Sequence, residues 1–337
     1  MSQTDQPVRF GITGTSFISD WFADATLEAP GCKVTAVYSR DDARGEAFAQ
    51  KYGIPLHFSD WDAFLASGEI DAVYIASPNC MHYPQAMAAL AHGKHVLCEK
   101  PLALNTEQAQ AMIAHAQEAG LILLEAIRPV HDPFIQVIKE NLPKIGRIRR
   151  ATFEFCQYSS RYERYLAGEY VSIFDSSLGN AALLDLGVYC LHTCVALLGT
   201  PLRIHADSSF LQNGTEVAGT ILLGYEQFQA TVSYSKVTQS VYPSIIQGEG
   251  GTLTFDTLNQ PTFVELHRRG QAVEKLPLPP VRPNMNMVFE LQTFCRCVRG
   301  DEKTERFDAQ SVQVIKVMDE VRQQTGVDFG ACEGLSF

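Results

Sequence analysis

The feature that most constrains the fold is a regular alternation of short apolar segments and longer amphipathic segments over residues 8–125. The apolar segments have the length of strands, whereas the longer segments repeat apolar side chains at helical spacing and often end at glycine. Strands and helices that alternate with short connections indicate a parallel sheet covered by helices on both faces. The predicted strands are Val8–Ile12, Val34–Tyr38, Asp71–Ala76, Val96–Cys98 and Leu121–Glu125, and the predicted helices are Phe17–Ala29, Asp42–Tyr52, His82–His92 and Asn105–Ala119.

The pattern changes after Pro133. Arg147–Tyr158 alternates apolar and polar residues, and residues 203–276 contain repeated short strand patterns separated by Gly, Asn and Pro, which favours an antiparallel sheet. Helices are predicted at Ala182–Leu198, Met287–Val298 and Gln310–Gln323.

The two patterns define an α/β protein with two domains. Residues 1–130 form a doubly wound parallel sheet, and residues 131–337 form an α+β domain with an open, largely antiparallel sheet. The last helices of the second domain are free to pack back on the first. Two domains also suit the length of 337 residues, because single cores rarely grow beyond about 250–300 residues.

Charge and cysteine content narrow the possible partners. The net charge of -11 disfavours nucleic acid, whose phosphates an acidic surface repels. No segment has the roughly 20 uninterrupted apolar residues of a membrane helix, and Met1–Arg9 lacks the apolar core of a signal peptide. The nine cysteines are odd in number and scattered, which predicts buried, reduced thiols and a cytoplasmic protein.

The turn after the first strand reads Gly14-x-Ser16-x-x-Ser19 and opens a helix. A pyrophosphate can bind there, because the first N–H groups of a helix are unpaired and its dipole is positive at that end. The alternative is a serine-rich helix cap without a ligand. The predicted cofactor-binding residues of this turn are Gly14, Thr15, Ser16, Phe17 and Ile18.

The second strand ends at Ser39 and Arg40. An NAD-preferring site usually carries an acid near this strand end, whereas an Arg can pair with the 2′-phosphate of NADP. Asp41 and Asp42 come later and are predicted to cap the next helix. The sequence therefore favours NADP over NAD, and the alternative is that Arg40 is a solvated loop charge.

Two further strand ends carry polar residues, and ligands of open α/β sheets bind at the carboxyl ends of the strands. Glu99 and Lys100 follow one strand, and Lys100 is suited to proton transfer or to hydrogen bonding with a substrate oxygen. The alternative is a surface lysine paired with Glu99. The polar residues after the other strand are Ser77, Pro78, Asn79 and His82. The further predicted cofactor-binding residues are therefore Ser39, Arg40, Ser77, Pro78, Asn79, His82, Glu99 and Lys100.

Taken together, these motifs resemble the glucose-fructose oxidoreductase/inositol dehydrogenase/rhizopine catabolism (Gfo/Idh/MocA) family. The resemblance rests on Gly14-Thr15-Ser16, Ser77-Pro78-Asn79-x-x-His82, Glu99-Lys100-Pro101 and the segment from Gly179 to Tyr189, in this order along the chain. It implies a Rossmann domain, a C-terminal domain with an open sheet, and hydride transfer between NAD(P) and a sugar, polyol or diol. It also implies homo-oligomers formed through the open sheet.

The resemblance carries the family's catalytic lysine to Lys100 and its characteristic aspartate to Asp185. Many members place a His about one turn later, where this chain has Tyr189, as in the branch that resembles dimeric dihydrodiol dehydrogenases. His192 lies a further turn along, and which of the two matches that His stays open. Asn180 replaces a usual glycine.

Residue spacing supports a site on the same segment. Asp185, Tyr189 and His192 are spaced i, i+4 and i+7, so a regular helix places them on one face among apolar neighbours. Such a polar stripe needs partners, and either a substrate cavity or an internal hydrogen-bond network can supply them. Arg128 and Arg161 are further candidates for substrate binding, and Arg161 can equally be a surface charge.

The hypothesis from sequence is that NADP lies over Gly14–Ser16 and that Tyr189, helped by Lys100, takes the hydroxyl proton while Asp185 orients the substrate. The chain has no metal-ligand set of the usual kind, so proton relay takes the place of metal polarisation. Two alternatives remain open: an NAD-dependent glycoside-cleaving enzyme, and a non-enzymatic NADP-sensing regulator.

Overall fold

The computed structural model describes residues 6–330, which form two compact units. Within that range, unit 1 comprises residues 6–126 and 281–312, and unit 2 comprises residues 127–280 and 313–330. The sequence-based division at residue 130 placed residues 281–312 with the second domain instead. Residues 1–5 and 331–337, which belong to the predicted N-terminal segment and to the end of the second domain, lie outside the described residues.

Unit 1 contains a six-stranded parallel sheet. Its strands are β1 (Val8–Thr13), β2 (Cys32–Tyr38), β3 (Leu56–Phe58), β4 (Ala72–Ile75), β5 (His95–Glu99) and β6 (Leu123–Ala126). The strand order is β3-β2-β1-β4-β5-β6, so the direction of winding reverses between β1 and β4. The carboxyl ends of these two strands flank a crevice at that reversal. The predicted doubly wound sheet is confirmed.

Five helices connect the strands of unit 1, and four of them lie where the sequence predicted helices. They are α1 (Phe17–Glu28), α2 (Asp42–Tyr52), α3 (Trp61–Ala66), α4 (His82–Ala91) and α5 (Thr106–Glu118). Asp41 caps α2 by accepting a hydrogen bond from the Arg44 N–H, and Asn105 caps α5 in the same way. Strand β3 and helix α3 were missed, because segments of three and six residues are too short to show a periodicity.

One C-terminal helix, α10 (Met287–Arg299), belongs to unit 1. Phe294 packs on Phe10 of β1 with ring centroids 5.3 Å apart. The Arg299 guanidinium donates a hydrogen bond of 3.0 Å to the carbonyl of Gly31. Gly31 has a φ of 89°, and a Cβ there would lie 2.1 Å from that guanidinium, so only glycine fits this contact.

Unit 2 contains an eight-stranded sheet in the order β14-β13-β12-β11-β7-β10-β9-β8. Its strands are β7 (Ile148–Cys156), β8 (Arg203–Phe210), β9 (Glu216–Gly224), β10 (Gln229–Ser235), β11 (Ser244–Gly248), β12 (Gly251–Phe255), β13 (Val264–Arg268) and β14 (Glu274–Leu276). Only β7 and β10 pair in parallel, so the predicted, largely antiparallel sheet is confirmed. The helices that begin in this unit are α6 (Arg128–His131), α7 (Phe134–Asn141), α8 (Tyr162–Leu166) and α9 (Val188–Leu198).

The two faces of this sheet differ in character. One face carries buried apolar side chains such as Phe153, Val232 and Phe255, and helices α7 and α9 pack against this side of the sheet. The alternate residues, such as Thr152 and Thr231, are only half-buried. This alternation is typical of a sheet with one face in the core and the other face open. Helix α11 (Glu305–Thr325) closes the described chain and starts five residues before the predicted Gln310.

The segment predicted as one helix, Ala182–Leu198, is not a single α-helix. A π-helical turn at Leu183–Gly187 precedes α9. The prediction assumed an unbroken spacing of 3.6 residues per turn, which a π-turn lengthens. Ser176–Leu198 is also long and apolar enough to cross a membrane, with a mean hydropathy of 1.8, although the sequence analysis found no such candidate. Because 78% of its most apolar 18-residue stretch is buried inside the protein, the segment has the character of a core helix of unit 2.

Most of the cysteines follow the expectation of free thiols. Seven of them are free, and six of these seven are buried, whereas Cys156 is half-buried. The expectation is wrong for Cys80, which is disulfide-bonded.

Candidate active site

The crevice of unit 1 is a cleft of about 380 Å³ between the ends of β1, β2 and β4. Gly14, at the end of β1, adopts a φ of 86° and donates its N–H to the Tyr38 carbonyl at 2.9 Å. Glycine suits this left-handed turn, which leads directly into the N-terminus of α1. The cleft thus lies next to the N-terminus of a helix, where backbone N–H groups and the positive end of the helix dipole favour an anion.

Seven of the predicted cofactor-binding residues line this cleft: Gly14, Thr15, Ser16, Ser39, Arg40, Ser77 and Pro78. Phe17 is exposed and Ile18 half-buried in the first turn of α1, and Asn79 begins a short 3-10 turn. Ser19 is fully buried, so its hydroxyl does not face a phosphate. Seven further lining residues were not predicted, namely Thr13, Tyr38, Asp41, Arg44, Ala76, Met81 and Gln85.

Two guanidinium groups belong to this cleft, because both Arg40 and Arg44 line it. Arg44 also lies 3.3 Å from the Asp41 carboxylate, which holds its side chain at the start of α2. Guanidinium groups form paired hydrogen bonds with phosphate oxygens. Sequence reasoning did not single out Arg44, which lies in the first turn of α2, while Arg40 precedes the N-cap Asp41.

Lys100 directly follows β5, one strand further from the crevice. The Glu99 carboxylate accepts hydrogen bonds from the Tyr74 hydroxyl at 2.5 Å and from the Lys100 N–H at 3.3 Å. Since Glu99 is buried, these bonds fix the backbone from which the Lys100 side chain extends. The Lys100–Pro101 peptide bond is cis.

The turn after Lys100 is held by buried polar groups. The ring nitrogens of His82 lie 2.8 Å from the Pro101 carbonyl and 3.1 Å from the Ser77 carbonyl, so His82 joins two strand ends. Complete burial lowers the pKa of His82, because desolvation disfavours the charged ring. His82 was predicted to contact the cofactor, and the structure gives it this connecting position. Glu125 accepts from the Leu102 N–H at 2.9 Å, which fixes the other side of the turn.

In unit 2, Tyr189 of α9 is buried and in contact with Arg128 of α6. The Arg128 guanidinium donates a hydrogen bond of 3.3 Å to the Tyr189 hydroxyl oxygen and lies 5.9 Å from its ring centroid. The edge of the ring packs on Phe155, with centroids 5.6 Å apart. A guanidinium beside the phenol oxygen favours negative charge on that oxygen during proton transfer.

Asp185 lies in the π-helical turn and forms an ion pair with Lys236. The Lys236 ammonium is 3.1 Å from Asp185 Oδ2, and their side chains are 5% and 45% exposed, respectively. Lys236 was not found by sequence reasoning. A lysine that follows an alternating strand reads as a solvated loop charge, so the sequence carried no signal for it.

Two further predicted residues of unit 2 take no part in the Arg128–Tyr189 and Lys236–Asp185 contacts described above. His192 is completely buried in α9, and Arg161 is half-buried at the start of α8, where its N–H donates to the Ser159 hydroxyl at 3.3 Å. The single helical face expected for Asp185, Tyr189 and His192 requires a regular helix. The π-turn at Asp185 changes its angle relative to the other two residues.

The chain belongs to the GFO/IDH/MocA oxidoreductase family. The family model, an oxidoreductase family with an NAD-binding Rossmann fold, matches residues 8–126, and the model of the family's C-terminal domain matches residues 138–254. The family and the NAD(P)-dependent oxidoreductase activity predicted from the motifs are therefore confirmed.

Relatives of known activity match nearly the whole chain. A scyllo-inositol 2-dehydrogenase (NADP(+)), IolU, from Bacillus subtilis is 39% identical over 96% of this chain and 99% of its own length. A trans-1,2-dihydrobenzene-1,2-diol dehydrogenase from Mus musculus is 29% identical over 96% and 98%. A 3-ketoreductase from Actinomadura kijaniata, solved with NADP and TDP-benzene, is 26% identical with a TM-score of 0.84 over 95% of this chain and 98% of that structure.

Proposed function

We propose that the protein is an NADP-dependent dehydrogenase that oxidises a secondary hydroxyl of a polyol, or reduces the corresponding ketone. The observation that carries this proposal is the polar group of unit 2, in which Arg128 contacts the Tyr189 hydroxyl and Lys236 contacts Asp185. Two oriented oxygen groups on one segment suit a substrate that presents several hydroxyls. The similarity to an NADP-dependent inositol dehydrogenase supports the same substrate class.

The residues of unit 1 fit the cofactor. The start of α1 offers backbone N–H groups to a pyrophosphate, with Gly14, Thr15, Ser16, Ser77 and Pro78 lining the same cleft. Arg40 and Arg44, together with Ser39, suit a 2′-phosphate, which NAD lacks. NADP, when bound, supplies the hydride acceptor.

The remaining chemistry is proton transfer by this chain's own side chains. Tyr189 accepts the hydroxyl proton of the substrate, Lys100 hydrogen-bonds the reacting oxygen, and the carboxylate of Asp185 orients a substrate hydroxyl. In this direction the Tyr189 oxygen carries negative charge before it accepts the proton, and the Arg128 guanidinium beside it stabilises that charge. The proposal gives Arg161 and His192 supporting roles: Arg161 would bind substrate hydroxyls, and His192 would contribute to the packing of α9.

A substrate screen tests this function. Cyclic polyols, linear polyols, aldoses and trans-dihydrodiols are each incubated with NADP and with NAD, and absorbance of the reduced nicotinamide is followed. We expect the fastest reduction with NADP and a cyclic polyol. Cleavage of a glycoside without net reduction of cofactor, or cofactor binding without turnover of any compound, would contradict the proposal.

Removal of both cleft arginines is expected to abolish the preference for NADP. Arg40→Ala with Arg44→Ala should weaken NADP binding by about a hundredfold to ten-thousandfold, because hydrogen bonds to a charged group contribute about 1.5–3 kcal/mol each. NAD binding should change little, since NAD has no 2′-phosphate. Fluorescence titration with both cofactors measures the effect, and Arg306→Ala, an exposed arginine of α11, is the matched control. Equal losses for NAD and NADP would contradict the assignment.

We also propose that the protein forms a homo-oligomer through the open face of the unit 2 sheet and resides in the cytoplasm. The open face carries half-buried residues such as Thr152, Thr231, Ser233 and Ile245, which a second copy can cover, and Glu154 lies beside Ser233 on the same face. A monomeric mass in light scattering at micromolar concentration would contradict the oligomer. Seven cysteines are free thiols, which supports a reducing compartment, whereas the disulfide of Cys80 is the exception.

A further inference from the structure

Lys236 is held at a fixed position in unit 2 by its own backbone. It directly follows β10, its N–H donates to the Val217 carbonyl at 2.8 Å, and its carbonyl accepts from the Ser159 N–H at 2.8 Å. The two bonds connect it to the chain on both sides, at β9 and at the segment after β7. The backbone position from which the Lys236 side chain extends is therefore fixed by these hydrogen bonds.

The π-helical turn is attached to the same two strands, β9 and β10. Glu216 of β9 accepts a hydrogen bond of 3.0 Å from the Leu183 N–H, at the first residue of the turn. Burial raises the pKa of Glu216, and the Leu183 hydrogen bond and the Lys236 charge partly offset that rise. Glu216 thus holds the backbone of the turn, while Lys236 contacts the Asp185 side chain.

The exposure of the two partners is unequal. Lys236 is nearly inaccessible, whereas almost half of the Asp185 side chain remains open. A pair formed only for stability gains most when both charges are enclosed together, and even then a hydrophobic replacement is often neutral. Here the buried lysine contacts one carboxylate oxygen of a residue whose side chain is 45% exposed, an arrangement in which a supporting residue orients a group that binds a ligand.

We propose that Lys236 is a positioning residue of the dehydrogenase, which fixes the Asp185 carboxylate in the orientation that receives a substrate hydroxyl. The inference rests on the proposed function and extends it to a residue that does not itself touch substrate. Loss of a structural ion pair would lower the free energy of unfolding, whereas loss of a positioning residue lowers turnover, so the two roles of Lys236 can be told apart by experiment.

The test is a double-mutant cycle on Lys236→Met and Asp185→Asn in the full-length protein, assayed with NADP and the best polyol of the screen. Lys236→Met should lower kcat/KM by about tenfold to a hundredfold, because small displacements of an orienting group cost this much. The double variant should be no slower than Asp185→Asn alone, since Lys236 acts through Asp185. Affinity for NADP should stay at its wild-type value in all three.

Controls separate this role from folding. Lys275→Met removes an exposed lysine from β14, at the edge of the sheet, and should leave kcat/KM unchanged. Lys236→Gln and Lys236→Arg serve where Lys236→Met folds poorly, and the arginine variant should recover part of the lost turnover because it keeps the charge. Thermal unfolding of each variant reports on stability.

The outcomes are distinct. Full activity of a folded Lys236 variant, or losses that multiply in the double variant, overturns the positioning role while the proposed function stands. A wild-type protein that turns over no compound of the screen overturns the proposed function and this inference with it.

Discussion

Replacing Lys100 with Ala is expected to lower kcat by about a hundredfold to ten-thousandfold, which is the usual contribution of a positioned proton-transfer group. The backbone that carries Lys100 is fixed on both sides, by the Glu99 carboxylate before it and by the contact between His82 and the Pro101 carbonyl after it. A side chain that extends from so rigid a backbone needs little reorganisation during the reaction. Its loss therefore removes a preorganised donor rather than a flexible surface charge.

The cofactor should still bind to the Lys100→Ala variant, because the lining of the unit 1 cleft does not include Lys100. Titration with NADP and steady-state kinetics with the best polyol measure the two effects separately. Lys33→Ala, an exposed lysine at the opposite end of the sheet, is the matched control and should retain wild-type kcat. Wild-type turnover in the Lys100 variant, or loss of NADP affinity equal to the loss of turnover, would remove the catalytic role.

Replacing Tyr189 with Phe should reduce kcat by a similar factor of about a hundredfold to ten-thousandfold, because the variant keeps the ring and removes only the proton-accepting oxygen. The packing of the ring edge against Phe155 is retained, so the free energy of unfolding should fall by only about 1 kcal/mol for the lost hydrogen bond from Arg128. The large kinetic effect and the small stability effect together identify a chemical role. Steady-state kinetics and thermal unfolding give the two quantities.

A second tyrosine of unit 2 supplies the control. Tyr225 is buried as well, and its hydroxyl donates to the Gly199 carbonyl at 3.1 Å. Tyr225→Phe therefore removes a comparable hydrogen bond without touching Arg128 or Asp185, and should change stability more than kcat. If both Tyr→Phe variants lose turnover equally, the effect of Tyr189 is structural. If Tyr189→Phe keeps wild-type kcat, His192 becomes the candidate for the family's His position.

Local sequence patterns were sufficient for the elements of unit 1 that are bounded by strong signals. Helix α2 runs over the predicted residues because Asp41 caps its start and Gly53, with a φ of 64°, ends it. Ser39 and Arg40 were found because they end a strand, and strand ends meet at one edge of a parallel sheet. Helix α3 and strand β3 were missed because they are too short for a period to appear.

The unit 2 residues show the limit of the same reasoning. Asp185 and Tyr189 were found on one segment, but their expected common face assumed a regular α-helix. No local residue pattern predicts the π-turn. Gly187, its last residue, is closely packed, because a Cβ there would lie 3.0 Å from the Leu183 side chain and 3.1 Å from the Tyr234 side chain. That contact is made with a strand distant in sequence.

The sequence by itself determined the alternating elements and the doubly wound sheet, because both depend on neighbours within a few positions, and its motifs pointed to the turn at Gly14 and to Lys100, Asp185 and Tyr189 as candidate site residues. Only the tertiary structure decided that α10 packs in unit 1, that Arg128 contacts Tyr189 and that Lys236 contacts Asp185. These contacts join residues that are far apart along the chain. Their formation depends on how whole strands and helices pack, and no local pattern of residue types encodes it.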